Sequence, residues 1–242
     1  MDIGFSDDTG DVMAFADLDS DKFTDIITVP QGSNNLELHL FDPFYKKFIH
    51  ANTIEVSGCG SIHNIVVGRS VQYLRLFVTC SGGAGTIVRF IDRIGVGKEA
   101  GIEDFSWNIN SNIITIETDT QPFIADINGD FLEDVVFNQP GQSDIMVAFQ
   151  VAQDPTLLHV VSFNEAITGV EYSEPGCLSP LGSKSLTTPH ATAMIDFDGD
   201  CMADLFVTVS SGGRNYYEIY LRRERSESID LSEVNGYKSS AP

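Results

Sequence analysis

The sequence predicts an all-β fold made of repeated antiparallel hairpins, and three observations carry that prediction. Short apolar runs rich in Val, Ile and Phe recur along the chain. Gly, Asn, Asp and Pro punctuate the gaps between them. One acidic motif returns three times inside a matching frame of strands. The runs cover Ile26–Val29, Leu36–Phe41, Leu74–Val78, Ile87–Ile91, Ile113–Ile116, Ile145–Val151, Leu205–Val209 and Tyr216–Leu221. Leu36-Glu37-Leu38-His39-Leu40 and Tyr217-Glu218-Ile219 alternate apolar and polar side chains, the period-two signature of a half-buried antiparallel strand. Long helical periodicity is missing, and 16 Phe beside many Val and Ile favour pleated surfaces over helices.

Repetition organises these strands. Aligned on their acids, three segments read alike: Ala14 to Asp21 running on to Asp25-Ile26-Ile27, Phe123 to Asp130 running on to Asp134-Val135-Val136, and Ala193 to Asp200 running on to Asp204-Leu205-Phe206. A fourth, degraded copy is read at Ile65 to Val71 ending in Arg75-Leu76-Phe77-Val78, where Val67, Arg69, Val71 and Arg75 replace the acids. Starts near 17, 67, 126 and 196 give steps of 50, 59 and 70 residues, a length that one four-stranded propeller blade with its loops fills. The expected organisation is a partial β-propeller of about four blade-like repeats over residues 1–221, near 12–60, 61–118, 119–188 and 189–221, with a polar tail at 222–242.

The acidic loops follow the pattern D-x-[DN]-x-D-x-x-x-D, and Ca²⁺, a hard cation, takes six to eight oxygen ligands. Positions 1, 3, 5 and 9 offer side-chain oxygens: Asp17, Asp19, Asp21 and Asp25; Asp126, Asn128, Asp130 and Asp134; Asp196, Asp198, Asp200 and Asp204. Position 7 offers a backbone carbonyl, that of Phe23, Leu132 or Met202. Gly129 and Gly199 at position 4 permit a tight reversal, and Ser20 fills that place in the first loop. Twelve of the 35 acidic residues fall in these 27 positions, a density that repels itself unless something divalent neutralises it. About three calcium ions are therefore expected, with the degraded loop metal-free. An EF-hand is excluded, because it needs a Glu at position 12 between two helices, and position 12 here is Thr28, Phe137 or Val207 between β-branched and aromatic runs. Asp and Asn also make good turns, and a single D-x-D could be no more than that. Three copies with the same four positions argue for an ion.

The loops, with Thr24-Asp25, Pro122-Phe123-Ile124, Pro189-His190 and Ala203-Asp204-Leu205-Phe206 around them, resemble FG-GAP repeats of integrin α-subunit propellers. The flanking words are closer still to the T-cell immunomodulatory protein family, also called integrin-alpha FG-GAP repeat-containing proteins, over roughly residues 11–221. The resemblance implies a type I membrane glycoprotein whose ectodomain is a propeller-like repeat region, some members being linked to modulation of T-cell responses. It implies an extracellular, protein-binding or adhesion-type role with an unidentified protein partner. The chain departs from that pattern: Met1-Asp2-Ile3-Gly4 has neither the basic nor the apolar region of a signal peptide, no run of about 18 apolar residues offers a membrane span, and no Asn-x-Ser/Thr sequon occurs. A truncated or incomplete product is the simplest account of those departures.

A formal net charge of -21 disfavours nucleic acid and anionic lipid as partners, since both need clustered Lys and Arg. Cys59, Cys80, Cys177 and Cys201 show no metal spacing, and two disulfides or four buried thiols are equally open. No catalytic motif emerges. Gly95-Val96-Gly97-Lys98 lacks the Ser/Thr and first Gly of a phosphate loop, with Glu99 and Asp92 in their places. The five His stand apart, no G-x-S-x-G occurs, and an Asp committed to calcium is a poor general acid. Ser81 to Gly85 and Ser211-Gly212-Gly213 read as hairpin turns, and Trp107 as a core residue before a partner anchor. The expected function is binding and not catalysis, against two alternatives: an accessory propeller of a carbohydrate- or lipid-acting enzyme, and a partial, non-functional product.

Overall fold

The computed structural model describes residues 10–69, 74–83, 85–95, 106–151, 154, 157–169 and 184–222. The strands form four antiparallel sheets of four strands each. The first sheet runs β1 (Asp11–Ala16), β2 (Asp25–Val29), β3 (Asn35–Asp42) and β4 (Lys47–Glu55) side by side in chain order. The second repeats that order with β5 (Ile62–Arg69), β6 (Leu74–Gly82), β7 (Gly85–Ile94) and β8 (Ser106–Ile116). The third does so with β9 (Phe123–Ala125), β10 (Asp134–Asn138), β11 (Ile145–Gln150) and β12 (Leu158–Ser162), followed by one short helix, α1 (Phe163–Gly169). In the fourth, β13 (Ser185–Leu186) and β14 (Ala193–Ile195) lie end to end along one edge of β15 (Asp204–Ser211), and β16 (Arg214–Tyr220) pairs with its other edge. The predicted apolar runs fall on these strands, and the all-β prediction holds. No helix among the described residues is long and apolar enough to cross a membrane.

The sheets stack face on face in chain order, as three apolar clusters show. The first cluster joins Ile27, Leu36 and Leu38 of the first sheet to Leu76, Val78 and Ile91 of the second. Another joins Phe77, Val88 and Phe90 of the second to Val135, Phe137 and Ala148 of the third. The last joins Val136, Ile145 and Val147 of the third to Leu205, Val207 and Val209 of the fourth. Each fully buried side chain of this kind contributes about 1.5–3 kcal/mol. Trp107 packs against the first cluster, as expected of a core residue.

One register runs through the stack. Position 9 of each loop heads the second long strand, as Asp25, Arg75, Asp134 or Asp204. The next residue faces the preceding sheet, so Leu76, Val135 and Leu205 belong to the clusters behind them. The residue after that faces the following sheet, so Ile27, Phe77 and Val136 belong to the clusters ahead. Strand pleating makes the alternation automatic.

Polar clasps reinforce each seam. Arg93 at the end of β7 donates from Nη1 to the Leu18 carbonyl at 2.7 Å and to Ser20 Oγ at 2.9 Å in the first loop. Gln150 at the end of β11 donates from Nε2 to the Arg69 carbonyl at 2.8 Å, while the Arg69 amide donates to the Glu133 carboxylate. Arg222 just beyond β16 donates from Nη2 to the Asn128 carbonyl at 3.1 Å in the third loop. Arg222 is therefore held by the fold, although the sequence assigned it to the polar tail; residues 223–242 lie outside the described residues.

The degraded repeat needs a correction. Val67 lies inside β5 opposite Leu76, and pairing continues through Gly68↔Arg75 to Arg69↔Leu74. In the intact repeats, position 9 pairs with the residue just before position 1: Ala16↔Asp25, Ala125↔Asp134 and Ile195↔Asp204. Arg69, not Val67, thus heads the second loop, which is shorter by two residues. Val71 lies outside the described residues. Arg75 is 1% exposed and binds Asp92 through Nε at 2.6 Å and Nη2 at 2.9 Å, with its guanidinium 5.4 Å from the Phe90 ring centroid.

The cysteine question resolves in part. Cys59 and Cys80 form a disulfide that links the approach to β5 with the middle of β6. Cys201 is an exposed thiol, and Cys177 lies outside the described residues.

Candidate metal centres

The three acidic loops fold alike residue by residue. Position 4 takes a left-handed backbone in each: Ser20 at φ 66°, Gly129 at 76° and Gly199 at 81°. Position 6 does so again, with Lys22 at 73°, Phe131 at 67° and Cys201 at 69°. Non-glycine residues rarely adopt that conformation, so the surrounding bonds must hold it in place. Asp at position 1 supplies one of them, accepting the position-6 amide at 3.1 Å from Lys22, 2.9 Å from Phe131 and 3.0 Å from Cys201. Position 5 accepts the position-7 amide: Phe23 to Asp21 at 2.8 Å, Leu132 to Asp130 at 2.9 Å and Met202 to Asp200 at 2.8 Å. The position-3 side chains of Asp19, Asn128 and Asp198 accept the position-5 amide at 3.2, 3.0 and 3.3 Å.

Position 9 does something the sequence did not show. Asp25, Asp134 and Asp204 are fully buried. One carboxylate oxygen of each accepts the position-2 amide, from Leu18 at 2.7 Å, Ile127 at 2.9 Å and Phe197 at 2.7 Å. The other accepts a backbone amide at the end of the third strand, from Phe41 at 2.9 Å, Gln150 at 3.2 Å and Arg222 at 2.8 Å. The ninth-position Asp is a clamp between loop and sheet, and its separation of 16 or 18 residues from the clamped amide is the regularity by which sequence could have found it.

The carboxylates converge to different degrees. In the first loop Asp17, Asp19 and Asp21 bring oxygens within 4.8 Å of one another, and in the last loop Asp196, Asp198 and Asp204 do the same. Asp25 and Asp200 stand outside those groups. In the middle loop no three acids gather among the described residues, and Asn128 Nδ2 donates to Asp130 Oδ2 at 3.1 Å. Each gathered set packs like charges against each other, a cost that a divalent cation removes. The charge is felt in proton affinity. Burial, with the acids of its own loop, raises Asp25 from 3.8 to about 6 against the pull of its two amide donors. Deeper burial raises Asp134 from 3.8 to about 8. Asp130 is also raised, first by burial and then by Asp126, while Leu132 and Asn128 oppose the shift.

Stacked four-stranded antiparallel sheets, three of them entered through one recurring acidic hairpin loop, define the class: an all-β repeat protein with oxygen-rich loop sites. Within that class, the chain is 25% identical over 224 residues to T-cell immunomodulatory protein of Rattus norvegicus, an alignment covering 87% of this chain and 31% of the relative. It is 24% identical over 238 residues to T-cell immunomodulatory protein homolog of Plasmodium yoelii yoelii, covering 86% and 31%. The family that the loops and their flanking words resemble is thus the one these relatives carry in their names. The chain spans about a third of the length of these curated relatives. No family model matches the chain, and no solved structure does.

Proposed function

We propose that the chain is a calcium-stabilised segment of an FG-GAP-type β-propeller that acts as an extracellular protein-binding module, with a role akin to that of the T-cell immunomodulatory proteins it resembles. The observation that carries this reading is the recurrence of one loop conformation around converging carboxylates. Asp17, Asp19 and Asp21, and Asp196, Asp198 and Asp204, gather in loops whose backbone is already bent around them. Their chemistry fits a hard cation: all donors are oxygens, and no thiol or imidazole joins either set. Asp126, Asn128, Asp130 and Asp134 would hold a third ion. Bound calcium supplies charge neutralisation and loop stiffness here; the reading assigns the chain no catalysis.

The face-on stacking of sheets in chain order supports the propeller part of the reading. The Cys59–Cys80 disulfide supports an oxidising compartment, where free calcium is also abundant. Protein binding is supported by aromatic side chains left exposed in and beside the loops: Phe131 is 81% exposed, Phe44 83% and Tyr45 66%. Thermal melts in millimolar calcium and in excess chelator test the reading. The melting temperature should rise in calcium, and the gain should shrink in Asp19→Ala and Asp198→Ala. Identical melts with and without chelator would remove its basis.

A further inference from the structure

The geometry points to a carboxylate-binding site anchored by Arg89, in the seam between the first and second sheets. Arg89 lies mid-strand in β7, paired with Val78 of β6 on one side and Ile113 of β8 on the other. Directly paired residues share a face, and Val78 belongs to the apolar cluster that joins the second sheet to the first, so Arg89 faces that seam. Ile87 and Ile91, two residues away in either direction along the strand, belong to the same cluster. Arg89 is 7% exposed, and its Nε is buried with no hydrogen-bond partner. No ion pair among the described residues includes it. The other two arginines of β6 and β7 are provided for: Arg75 by Asp92 and Gln150, Arg93 by the Leu18 carbonyl and Ser20.

The ligand follows from what the guanidinium lacks. It stays charged at neutral pH even though burial lowers its pKa, with no carboxylate to oppose the shift. A buried charge without a partner is costly, and the aliphatic neighbours offer no hydrogen bond to offset it. The planar fork of N–H groups fits one carboxylate bidentately. One guanidinium in a chain of net charge -21 matches a monoanion better than a phosphate. A way in exists as well. β8 is the last strand of its sheet, so one edge strand separates Arg89 from solvent. The ladder loosens beside it: Arg89 pairs with Ile113 and Ile91 with Ile109, so that Asn110, Ser111 and Asn112 stand opposite Phe90 alone. Bulges of this kind recur at sheet edges and next to functional sites. Ile113, on the same face, is 50% exposed and gives the carbon that bears the carboxylate an apolar rest. A free small acid and an acidic side chain of a protein share this chemistry. The site is separate from the acidic loops and asks nothing of calcium.

Thermal melts of the intact chain at constant ionic strength test this, with sodium chloride as the reference and two monocarboxylate probes, acetate and N-acetylglutamate α-amide. The melting temperature of the wild type should rise by about 3–5 °C at a tenfold excess of probe over Kd, and equally in calcium and in chelator. Arg89→Met keeps the aliphatic stem and loses the charge. It should melt no lower than the wild type in chloride and should lose the rise that the probes cause. Arg89→Lys should lose most of that rise, because an ammonium lacks the fork. Acetate binding at least as tightly as the glutamate derivative assigns the site to a free acid, and a tighter grip on the derivative assigns it to a protein side chain. No rise with either probe, or a rise as large in Arg89→Met as in the wild type, overturns the inference. An Arg89→Met chain that melts well below the wild type in chloride overturns it too, since the guanidinium would then have a partner of its own.

Discussion

The second sheet and its neighbours solve one problem in opposite ways. Each sheet must fill the buried ninth position at the head of its second long strand. In the first, third and fourth sheets the residue is Asp25, Asp134 or Asp204, a carboxyl group clamped by two backbone amides and crowded by further acids of its loop. In the second it is Arg75, a cation held bidentately by Asp92 of the same sheet. On the proposed reading one design leaves carboxyl groups for an external cation to balance, and the other carries its counter-ion, Asp92, within the chain. The second sheet also carries the Cys59–Cys80 disulfide. Its ninth position needs no external ion, whereas on the proposed reading the other three take one.

Breaking the internal pair should have the largest effect. Arg75→Ala leaves Asp92 buried and uncompensated, and should cost about 3–5 kcal/mol in chemical denaturation, equally with calcium and with chelator. Opening the disulfide with Cys59→Ser should cost about 2–4 kcal/mol, also independent of calcium. The acidic loops should respond only in calcium: Asp19→Ala and Asp198→Ala should each forfeit about 1 kcal/mol of calcium-dependent stability at concentrations several-fold above a millimolar-range Kd. Asn128→Asp sharpens the contrast within the acidic set, since it adds the missing carboxylate and should tighten calcium binding in the middle loop.

Proton linkage separates the two designs again. The folded values of Asp25 and Asp134 lie above the unfolded value near 3.8, so the folded chain holds these protons more tightly. Their contribution is complete below that value and is lost as pH rises through about 6 for Asp25 and about 8 for Asp134. In chelator, melting temperature should therefore fall from pH 5 to 8.5, and saturating calcium should flatten or reverse the slope by favouring the ionised loops. A local effect belongs to Gly129, whose φ of 76° suits glycine and where an added Cβ would push the Arg222 guanidinium aside. Gly129→Ala should cost roughly 1–2 kcal/mol by straining the loop and loosening one clasp.

Much of this fold is legible in the sequence, because apolar runs and turn residues act locally. Leu36 to Leu40 alternates as β3 does, and Ser211-Gly212-Gly213 turns β15 into β16 as its composition dictates. Aligning the acids predicted which residues share a loop. It misread the degraded copy, because Val66 and Val67 continue a strand that a nine-residue template cuts short. The convergence of carboxylates was legible for Asp17, Asp19 and Asp21, but the exchange of Asp200 for Asp204 in the last loop depends on side-chain direction, which spacing does not encode. The clasps of Arg93, Gln150 and Arg222 were hidden for a different reason. They join residues 75 to 94 positions apart in the chain, and no local pattern marks a long polar side chain as reaching back to a neighbouring sheet.

Calorimetric titration of the folded chain with calcium tests the central claim most directly. It should report about three ions bound per chain in the sub-millimolar to millimolar range, one fewer in Asp19→Ala and one fewer in Asp198→Ala. No heat of binding at millimolar calcium, or a stoichiometry that neither substitution changes, would contradict the account.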